Sequence, residues 1–461
     1  MNPLLNPLIL GKALKSYLVD PNRLQRLTNE ELKVYQDKSL RKIVKYAYKV
    51  PMYRDKYKEA GIHPRDIKGM DDIQKLPFIT KEDIRKYSPN NIITSTFNKK
   101  ARIISRTGGS TGEPLLIYFD LFTVIKGMLG FVRALNEYDI DWKKTKMSLL
   151  IDLSERSFEN EYFINSIFSS IRPIFSQKNI QIFDLFKTSA DVIKKIEEFQ
   201  PEFIAGYPYA LIQLAILRNK GYGKNISPRC ILSSGSYFDN YSRQLVEETL
   251  NAKIYDLYAA TETGPIAFEC KSGNYHVNSD MIYPEFIKNG KHVSPGLAGT
   301  LVVTKLYGAG TPIIRYTGID DIVTTLKNDC HCGLSGILIK KIHGRKNDSI
   351  LFPDGKMALP SFMDNILGET VDETKANKIR RIQIIQHDID NLEINVLFDR
   401  DLRNVGVSPE KMFNILKRKL LEKISTKIHL EIKEVNSFNT KDPYLISKID
   451  RSKFIVKEYL I

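Results

Sequence analysis

Long hydrophobic runs are missing from this sequence of 461 residues. A membrane-spanning helix needs about 20 consecutive apolar residues, and no stretch of the chain approaches that length. The N-terminal stretch is broken by Pro3, Pro7, Lys12 and Lys15, so it lacks the continuous apolar core of a secretory signal peptide. We therefore expect no membrane span and a cytoplasmic location.

Cysteine is also scarce. The four cysteines, Cys230, Cys270, Cys330 and Cys332, are too few for the disulfide framework of a small secreted protein. A chain of this length can bury a large core without disulfides, and cytoplasmic thiols stay reduced. The hydrophobic fraction of 42% and the charged fraction of 27% are ordinary for a soluble globular protein.

The sequence contains no internal repeat and no recognised nucleic-acid-binding motif. Its 69 Lys and Arg residues outnumber its 54 Asp and Glu residues, which gives a formal charge of +15. Such a charge suits nucleic acid, an anionic membrane or a phosphate-bearing substrate. The basic residues are dispersed and are not interleaved with aromatic residues, as on a solvated surface. We expect no nucleic-acid partner.

Apolar residues recur at helical spacing from Glu30 to Tyr48. Pro51 ends this helix, and Thr80 is the expected N-cap of another. Short apolar runs then alternate with amphipathic helices, which favours an α/β domain with a largely parallel sheet. Hairpin-like strands follow from Glu285. The predicted strands are 147–152, 203–205, 230–233, 253–257 and 299–304, and the predicted helices are 189–199 and 241–250.

A second, smaller α/β unit is predicted near the C-terminus. Residues 382–386 and 392–398 alternate as strands, and 427–435 is a final strand. Between them, Ser408 caps a helix that runs to Lys423. We place the boundary at Gly344–Asp348, which gives an N-terminal nucleotide- and acid-binding domain, 1–344, and a mobile domain, 345–461.

An eight-residue segment rich in glycine and hydroxyl groups precedes the apolar run 115–119, which we expect to form a strand. Glycine permits positive φ angles, and exposed amides and hydroxyls donate hydrogen bonds to phosphate oxygens. The segment has neither the Walker nor the Rossmann spacing, and a polar hairpin turn is the alternative. Its residues are Thr107, Gly108, Gly109, Ser110, Thr111, Gly112, Glu113 and Pro114.

The stretch from Ser105 to Leu115 resembles the phosphate loop of adenylate-forming enzymes. The closest resemblance is to phenylacetate–CoA ligases and their capsular-polysaccharide-biosynthesis relatives, whose N-terminal pattern is also similar to residues 47–54 and 75–81. The resemblance implies a large multi-layer α/β domain followed by a small mobile one. It also implies ATP- and Mg²⁺-dependent adenylation of a carboxylic acid, and then transfer of the acyl group to coenzyme A (CoA).

The loop departs from the family at one position. The family often has lysine where this chain has Glu113. Because a carboxylate cannot neutralise a triphosphate, the loop is expected to bind ATP through its amides, its hydroxyls and a metal ion.

A second motif, from Tyr258 to Gly264, resembles the family's aromatic–small–Thr/Ser–Glu motif. By that resemblance Tyr258 and Ala259 lie at the adenine, Thr261 contacts the α-phosphate, and Glu262 helps to hold Mg²⁺. Taken alone, the motif is typical of a helix N-terminus with a capping threonine.

Ser234, Gly235 and Ser236 stand in the place of the family's adenine-binding loop. Backbone groups at Ser234 and Gly235 would contact the base, whereas the family usually carries an acidic residue at the position of Ser236. The acyl pocket is expected around residues 206–208 and 259–265.

Further downstream, Asp320 matches the aspartate that binds both ribose hydroxyls, or Asp321 does if one residue is inserted. Arg345 would reach the ribose or a phosphate. The chain would rotate at Asn347 and Asp348 between the two half-reactions.

The resemblance also implies a lysine in the C-terminal domain that offsets charge at the α-phosphate. We assign this role to Lys453, with Lys448 as the alternative. The glycine and arginine that usually surround the family's lysine are absent here.

Cys330 and Cys332, together with Cys270 and His276, make a Cys₃His set that suits a structural zinc ion. Some members of this ligase branch carry Cys and His at matching places. His331 ranks below His276 as a ligand, and free buried cysteines are the alternative.

Three functions follow from these patterns. The first is an acid–CoA ligase that takes ATP, a carboxylic acid and CoA. The second is an adenylating amide or ester ligase that transfers an acyl or amino-acid group to a sugar or amine. The third is a basic binding protein on a decayed ligase fold. A monomer and a homodimer both remain open.

Overall fold

The computed structural model describes residues 7–97, 103–106, 115–155, 157, 159–160, 177–326, 330–376, 378–424, 427–438 and 444–461. No helix in these ranges is long and apolar enough to cross a bilayer. The chain forms two compact units, and each is discontinuous in sequence. The larger runs up to Ser236 and resumes at Val246–Ile319 and Thr324–Lys341, and the smaller consists of Tyr237–Leu245, Asp320–Val323 and Ile342–Ile461.

The helices of the larger unit lie mainly before and between its first strands. They are α1 Pro7–Val19, α2 Arg23–Arg26, α3 Asn29–Ala47, α4 Pro51–Glu59, α5 Lys81–Tyr87, α6 Leu121–Glu137, α7 Ala190–Phe199 and α8 Pro208–Asn219. Helix α9, Asn240–Leu250, begins in the smaller unit and ends in the larger.

The strands of the larger unit alternate with these helices and then continue as hairpins. They are β1 Ile103–Arg106, β2 Leu116–Phe119, β3 Met147–Ile151, β4 Ile180–Asp184, β5 Phe203–Gly206, β6 Cys230–Ser234, β7 Lys253–Ala260, β8 Gly264–Glu269, β9 Tyr275–Val277, β10 Ile282–Lys288, β11 Lys291–His292 and β12 Ala298–Lys305. Strands β13 Asp321–Thr325 and β14 Leu338–Arg345 contribute Thr324–Thr325 and Leu338–Lys341 to this unit.

One large sheet dominates the unit, with strand order β11-β10-β12-β13-β14-β9-β8-β7-β6-β5-β3-β4. Strands β4, β3, β5, β6 and β7 are parallel neighbours, whereas β7, β8 and β9 are antiparallel. All four residues of β5 are buried, which explains the short unbroken apolar run that predicted a parallel strand. The predicted strands and helices of this part are confirmed to within a few residues.

Side-chain caps set where several helices begin. At α5 the Thr80 hydroxyl accepts from the Asp83 amide at 3.1 Å, and the Asp83 carboxylate accepts from the Thr80 amide at 2.9 Å. Thr28 and Glu31 form the same reciprocal pair at α3. The predicted caps at Thr80 and Ser408 are confirmed, and each satisfies amides that would otherwise lack partners.

The smaller unit has two sheets around its own core. The three-stranded sheet has order β15-β16-β21 and the four-stranded sheet has order β19-β18-β17-β20. Buried apolar residues from the helices pack with residues from β17 and β18. The elements are β15 Ile350–Leu351, β16 Lys356–Ala358, α10 Pro360–Thr374, β17 Ile379–Asp388, β18 Asn391–Phe398, α11 Pro409–Lys423, β19 His429–Glu434, β20 Leu445–Ser447 and β21 Glu458–Leu460.

A buried ion pair joins α6 to the segment before β10 in the larger unit. The Arg133 guanidinium donates to both carboxylate oxygens of Asp280, at 2.9 and 3.0 Å. It also donates to the Asn278 side chain at 2.6 Å and to the Pro21 carbonyl at 3.2 Å. This single side chain therefore links the N-terminal helices to the sheet.

Replacing Arg133 with Met should lower the free energy of unfolding by about 3 kcal/mol, because Asp280 loses its bidentate partner while it stays buried. Chemical denaturation of the full chain measures this change. The control is Arg229→Met, since Arg229 and Glu202 are both about half exposed, with side-chain exposures of 51% and 46%. Exposed pairs of this kind contribute about 0–1 kcal/mol. Equal losses in the two variants would contradict the prediction.

Candidate functional site

The carboxyl ends of the parallel strands meet at one edge of the large sheet. Leu150 of β3 pairs with Gly206 of β5, and Gly206 pairs with Ser233 of β6. Ser234 then pairs with Leu257 of β7. In open α/β sheets, ligands bind at this edge, because the loops that leave the strands converge there. The predicted adenine loop and the Tyr258–Gly264 motif both leave strands at this edge.

The predicted adenine loop, Ser234–Ser236, directly follows β6. Gly235 has a φ of +89°, and a Cβ placed there would come within 2.2 Å of the Tyr207 ring. Only glycine fits this backbone without displacing the tyrosine. The Ser234 hydroxyl donates to the Leu257 carbonyl at 2.7 Å, which ties the loop to β7. Gly235 and Ser236 are exposed, so their backbone is open to a ligand.

The second motif is the turn of a hairpin. Strand β7 ends at Ala260, the Thr263 amide donates to the Ala260 carbonyl at 3.1 Å, and β8 begins at Gly264. The alternative interpretation, a helix N-terminus capped by a threonine, is therefore wrong. Glu262 in this turn is buried, and its Oε1 accepts a hydrogen bond from the Tyr316 hydroxyl at 3.0 Å. Tyr258, Ala259 and Thr261 are half-buried along the same edge.

Lys305, at the end of β12, is a site residue that the sequence analysis missed. Its side chain is buried, and its Nζ donates to the Glu262 carbonyl at 3.3 Å. The ammonium also lies over the Phe119 ring, 4.7 Å from the centroid. Burial lowers the pKa of Lys305 to about 7, although Asp120 and Glu262 oppose that shift. Lys305 directly follows the predicted strand 299–304, and a lysine at the end of a buried strand was the signal in the sequence that could have identified it.

Arg315 lies a few residues before Asp320, but its side chain belongs to the core. It donates to both carboxylate oxygens of Glu285, at 3.0 and 2.9 Å, and to the Leu76 carbonyl at 2.6 Å. Its backbone has a φ of +46°, a conformation that non-glycine residues rarely adopt. These bonds hold the strained segment, and the neighbouring Tyr316 is thereby placed against Glu262.

Within the smaller unit, Asp320 lies beside the segment predicted to be the hinge. Its carbonyl accepts from the Lys346 amide at 2.8 Å, and its carboxylate accepts from the Asn347 amide at 3.0 Å. Residues Lys346–Asp348 form a short 3₁₀ helix after β14. Arg345, just before it, is exposed. The choice between Asp320 and Asp321 as the ribose ligand stays a prediction.

Arg451 is the second residue that the sequence analysis missed. Its guanidinium donates to the carbonyls of Lys346 and Ser349. Burial lowers the pKa of Arg451, and the charges of Asp320 and Asp348 act in the opposite direction. An arginine in the C-terminal tail thus supports the segment around Asp348.

Neither candidate lysine is held in a buried site. Lys453 has 73% of its side chain exposed and lies 3.6 Å from Asp450. Lys448, also exposed, has its Nζ 3.1 Å from the Nδ1 of His387. Both residues belong to the smaller unit, and the preference for Lys453 stays a prediction.

The structure brings Cys270, His276, Cys330 and Cys332 together, with one ligand atom of each within 4.8 Å of the others. Cys332 Sγ lies 2.9 Å from His276 Nε2, and Cys270 Sγ lies 3.7 Å from Cys330 Sγ. This sulfur separation is too long for a disulfide, but it matches the edge of about 3.8 Å for a tetrahedron of Zn–S bonds. His331 is exposed and stands outside the group.

The ionisation of the group suits a metal as well. Burial lowers the pKa of His276 to about 4, so its imidazole is neutral at physiological pH, as a ligand must be. Its Nδ1 is buried and has no hydrogen-bond partner in the part of the chain that the structure describes. The residues therefore fit a structural zinc ion.

The predicted phosphate loop, Thr107–Pro114, lies outside the described residues, and with it Gly108, Gly109, Ser110, Thr111, Gly112 and Glu113. The strands on either side of it, β1 and β2, pair in antiparallel register from Arg106↔Leu116 to Ile103↔Phe119. The sequence expectation that a strand follows the loop is confirmed.

The fold is that of the adenylate-forming CoA ligases. A crystal structure of a 2-hydroxyisobutyryl-CoA ligase in the postadenylation state, in complex with R3-HIB-AMP, matches 94% of this chain and 92% of its own. The TM-score is 0.74 at 19% sequence identity. An open conformation of the same ligase, in complex with 2-HIB-AMP and CoA, matches 91% of this chain and 92% of its own, with a TM-score of 0.61 at 18% identity.

Sequence comparison agrees with the fold. The phenylacetate-coenzyme A ligase of Thermus thermophilus is 25% identical over 345 residues, which cover 71% of this chain and 73% of that protein. Protein CapK of Staphylococcus aureus is 24% identical over 334 residues, with 71% and 70% covered. No protein-family model matches the chain. The chain is a homologue of phenylacetate–CoA ligases and CapK, as its motifs predicted.

The Lys305→Met variant should raise the thermal unfolding temperature by roughly 2–4 °C, because it removes a buried ammonium that lacks a carboxylate partner among the described residues. Differential scanning calorimetry measures the shift. Unchanged or lower stability would contradict the prediction.

Lys378→Met is the matched control. Lys378 is also buried, but its ammonium donates to three carbonyls, those of Arg403, Val405 and Val407. Since these carbonyls would lose their donor, this variant should be less stable than the parent protein.

Proposed function

We propose that this protein adenylates a carboxylic acid with ATP and then transfers the acyl group to CoA. The observation that carries the proposal is that Ser234–Ser236 and Tyr258–Glu262 lie at the carboxyl ends of neighbouring parallel strands, at one edge of the large sheet of a CoA-ligase fold. Relatives named phenylacetate-coenzyme A ligase, and solved neighbours that contain acyl-AMP and CoA, support both half-reactions.

The first half-reaction forms the acyl-adenylate. A carboxylate oxygen of the acid attacks the α-phosphorus of ATP, and pyrophosphate leaves. The adenine would lie against the exposed backbone of Gly235 and the side chain of Tyr258, and Thr261 would donate to the α-phosphate. Asp320 would accept from the ribose hydroxyls, and Arg345 would contact the ribose or a phosphate.

Glu262 would hold Mg²⁺, a hard cation that prefers carboxylate oxygens and offsets charge on the phosphates. Tyr316 donates to one oxygen of this carboxylate, and Lys305 donates to its backbone. Both residues thus orient Glu262, which must keep its position while charge moves towards pyrophosphate.

In the second half-reaction the CoA thiol attacks the acyl carbonyl, and AMP leaves. Lys453, or alternatively Lys448, would act at the α-phosphate in the first step only. A change in position between the steps, with the chain turning at Asn347 and Asp348 and the domains dividing near Gly344, is part of the proposal.

ATP–pyrophosphate exchange measured across a panel of carboxylic acids tests the first half-reaction. Thioester formation with CoA, compared with amine and sugar acceptors, tests the second. Exchange without any thioester formation, and with no acceleration of net pyrophosphate release by CoA, would reject CoA as the acceptor. Salt-dependent RNA or DNA binding without any exchange would instead favour the binding-protein alternative.

Tyr316→Phe should lower kcat/KM for ATP in the exchange assay by about 10-fold, because the Glu262 carboxylate loses a hydrogen bond that orients it. Tyr275→Phe is the control, since its hydroxyl donates to another carboxylate, that of Asp256, at 2.8 Å. The control should keep the parental value. Equal kinetics in both variants would exclude the positioning role of Tyr316.

We also propose that Cys270, His276, Cys330 and Cys332 bind one structural zinc ion. Elemental analysis of the purified protein should find about one zinc per chain. Cys330→Ser should lose the metal and thermal stability, whereas Cys230→Ser should keep the metal, because Cys230 stands outside the group. If the protein contains no zinc even after refolding with the metal, the zinc site is rejected and the cysteines are free thiols.

A further inference from the structure

A tyrosine–glutamate pair lies at the same sheet edge, on the side away from the Glu262 turn. Tyr207 follows β5, and its hydroxyl donates to the carboxylate of Glu159, in the connection that follows β3. Strands β3 and β5 are parallel neighbours, so both residues leave the sheet at the carboxyl edge. Along this edge the strand order is β7, β6, β5, β3.

The pair is adjacent to the predicted adenine loop. The Tyr207 ring packs directly against Gly235, where a Cβ would come within 2.2 Å of it. The predicted nucleotide motifs occupy the ends of β6 and β7. Since the acyl group of an acyl-adenylate is bonded to the AMP, it must lie next to them. The ends of β5 and β3 are the neighbouring positions along the edge.

These neighbouring positions are acidic. Glu159 is largely removed from water, and this burial raises the pKa of its carboxyl group. Asp152 follows β3 directly, and its charge acts on both Glu159 and Tyr207. No Lys or Arg in the described ranges forms an ion pair with either carboxylate. A carboxylate has about four acceptor positions, and the tyrosine hydroxyl uses one of them.

A purely apolar acyl group beside a buried carboxylate would leave its negative charge uncompensated, and a second carboxylate on the substrate would be repelled. A hydroxyl group would supply one hydrogen bond but no charge. An ammonium group supplies hydrogen-bond donors together with the positive charge that no Lys or Arg in the described ranges brings to these two carboxylates.

We propose that the acid adenylated by this protein carries an ammonium group in its acyl part, and that Glu159 recognises it. Tyr207 holds the Glu159 carboxylate in place, and Asp152 adds to the negative potential. This inference rests on the adenylation proposed above and names the class of its substrate: amino acids or other amino-substituted carboxylic acids.

The test is ATP–pyrophosphate exchange with matched pairs of acids. Phenylglycine is compared with phenylacetate, and alanine, 4-aminobutyrate and 6-aminohexanoate with propionate, butyrate and hexanoate. In at least one pair, the amino acid should exceed its partner in kcat/KM by about 10-fold or more, since a site built around a polar group rejects the analogue that lacks it. Equal or better use of the plain acid in every pair would overturn the inference.

A hydroxyl series separates charge from simple hydrogen bonding. Mandelate and 6-hydroxyhexanoate keep a donor in place of the ammonium group. They should be used less well than the corresponding amino acids. A preference for the hydroxy acids would overturn the assignment of a cationic substrate.

Variants of Glu159 and Tyr207 test whether these residues recognise the ammonium group. Glu159→Gln should reduce the ratio of kcat/KM between the preferred amino acid and its plain partner by about 10-fold, mainly through KM, and Glu159→Asp should restore part of it. Tyr207→Phe should reduce the ratio less. Glu155→Gln, an exposed position in the same connection, is the control and should keep the ratio. An unchanged ratio in Glu159→Gln would overturn the role of Glu159.

The outcomes separate this inference from the proposed function. Exchange with plain acids alone would reject the ammonium-bearing substrate but would still support adenylation. If no acid of either kind supports exchange, the proposed adenylation is rejected, and the inference about its substrate is rejected with it. Circular dichroism of each variant shows whether a lost ratio comes from lost folding.

Discussion

The ion pair between Arg315 and Glu285 supports much of the candidate site. It is buried and bidentate, and it holds a backbone segment whose φ of +46° would otherwise be unfavourable. The next residue, Tyr316, reaches the Glu262 carboxylate, which stands in the turn between β7 and β8. The position of Glu262 thus depends on an ion pair that does not itself take part in the proposed reaction.

Buried charges in the larger unit are satisfied to different degrees. Arg133 and Arg315 each face a carboxylate through two hydrogen bonds, which compensates for the loss of water. Lys305 has a carbonyl and aromatic faces but no carboxylate in contact within the described part of the chain. An ammonium held in this way reduces stability, and such costs are typical of residues retained for a site.

The sequence predicted the elements well where local patterns decide. The cap at Thr80, the buried strand β5 and the helix after Ser408 depend on residues within a few positions of each other. The cluster of three cysteines and one histidine was also predictable, although its halves are about sixty residues apart, because cysteine and histidine are few and chemically distinctive.

The missed residues depend on contacts that sequence spacing does not encode. Lys305, at the end of β12, and Tyr316, between β12 and β13, both contact Glu262 in the turn between β7 and β8, and Arg451 reaches Lys346 from the C-terminal tail. Tyrosine and arginine are common on any surface, so their types gave no signal, whereas Lys305 was marked only by its place at the end of a buried strand. At the Glu262 turn the local sequence is ambiguous, because a threonine followed by glutamate is as compatible with a hairpin as with the start of a helix.

The discontinuous division of the chain has a consequence for its synthesis. The smaller unit includes Tyr237, whose hydroxyl donates to Asp364 of the same unit. The ribosome makes the first of these residues long before the second, and the remainder of the larger unit is made between them. Tyr237–Leu245 therefore remain without their contacts in the smaller unit while the later strands of the larger unit are synthesised. A chain that is released early would expose an incomplete small unit to chaperones and proteases, rather than a finished N-terminal domain.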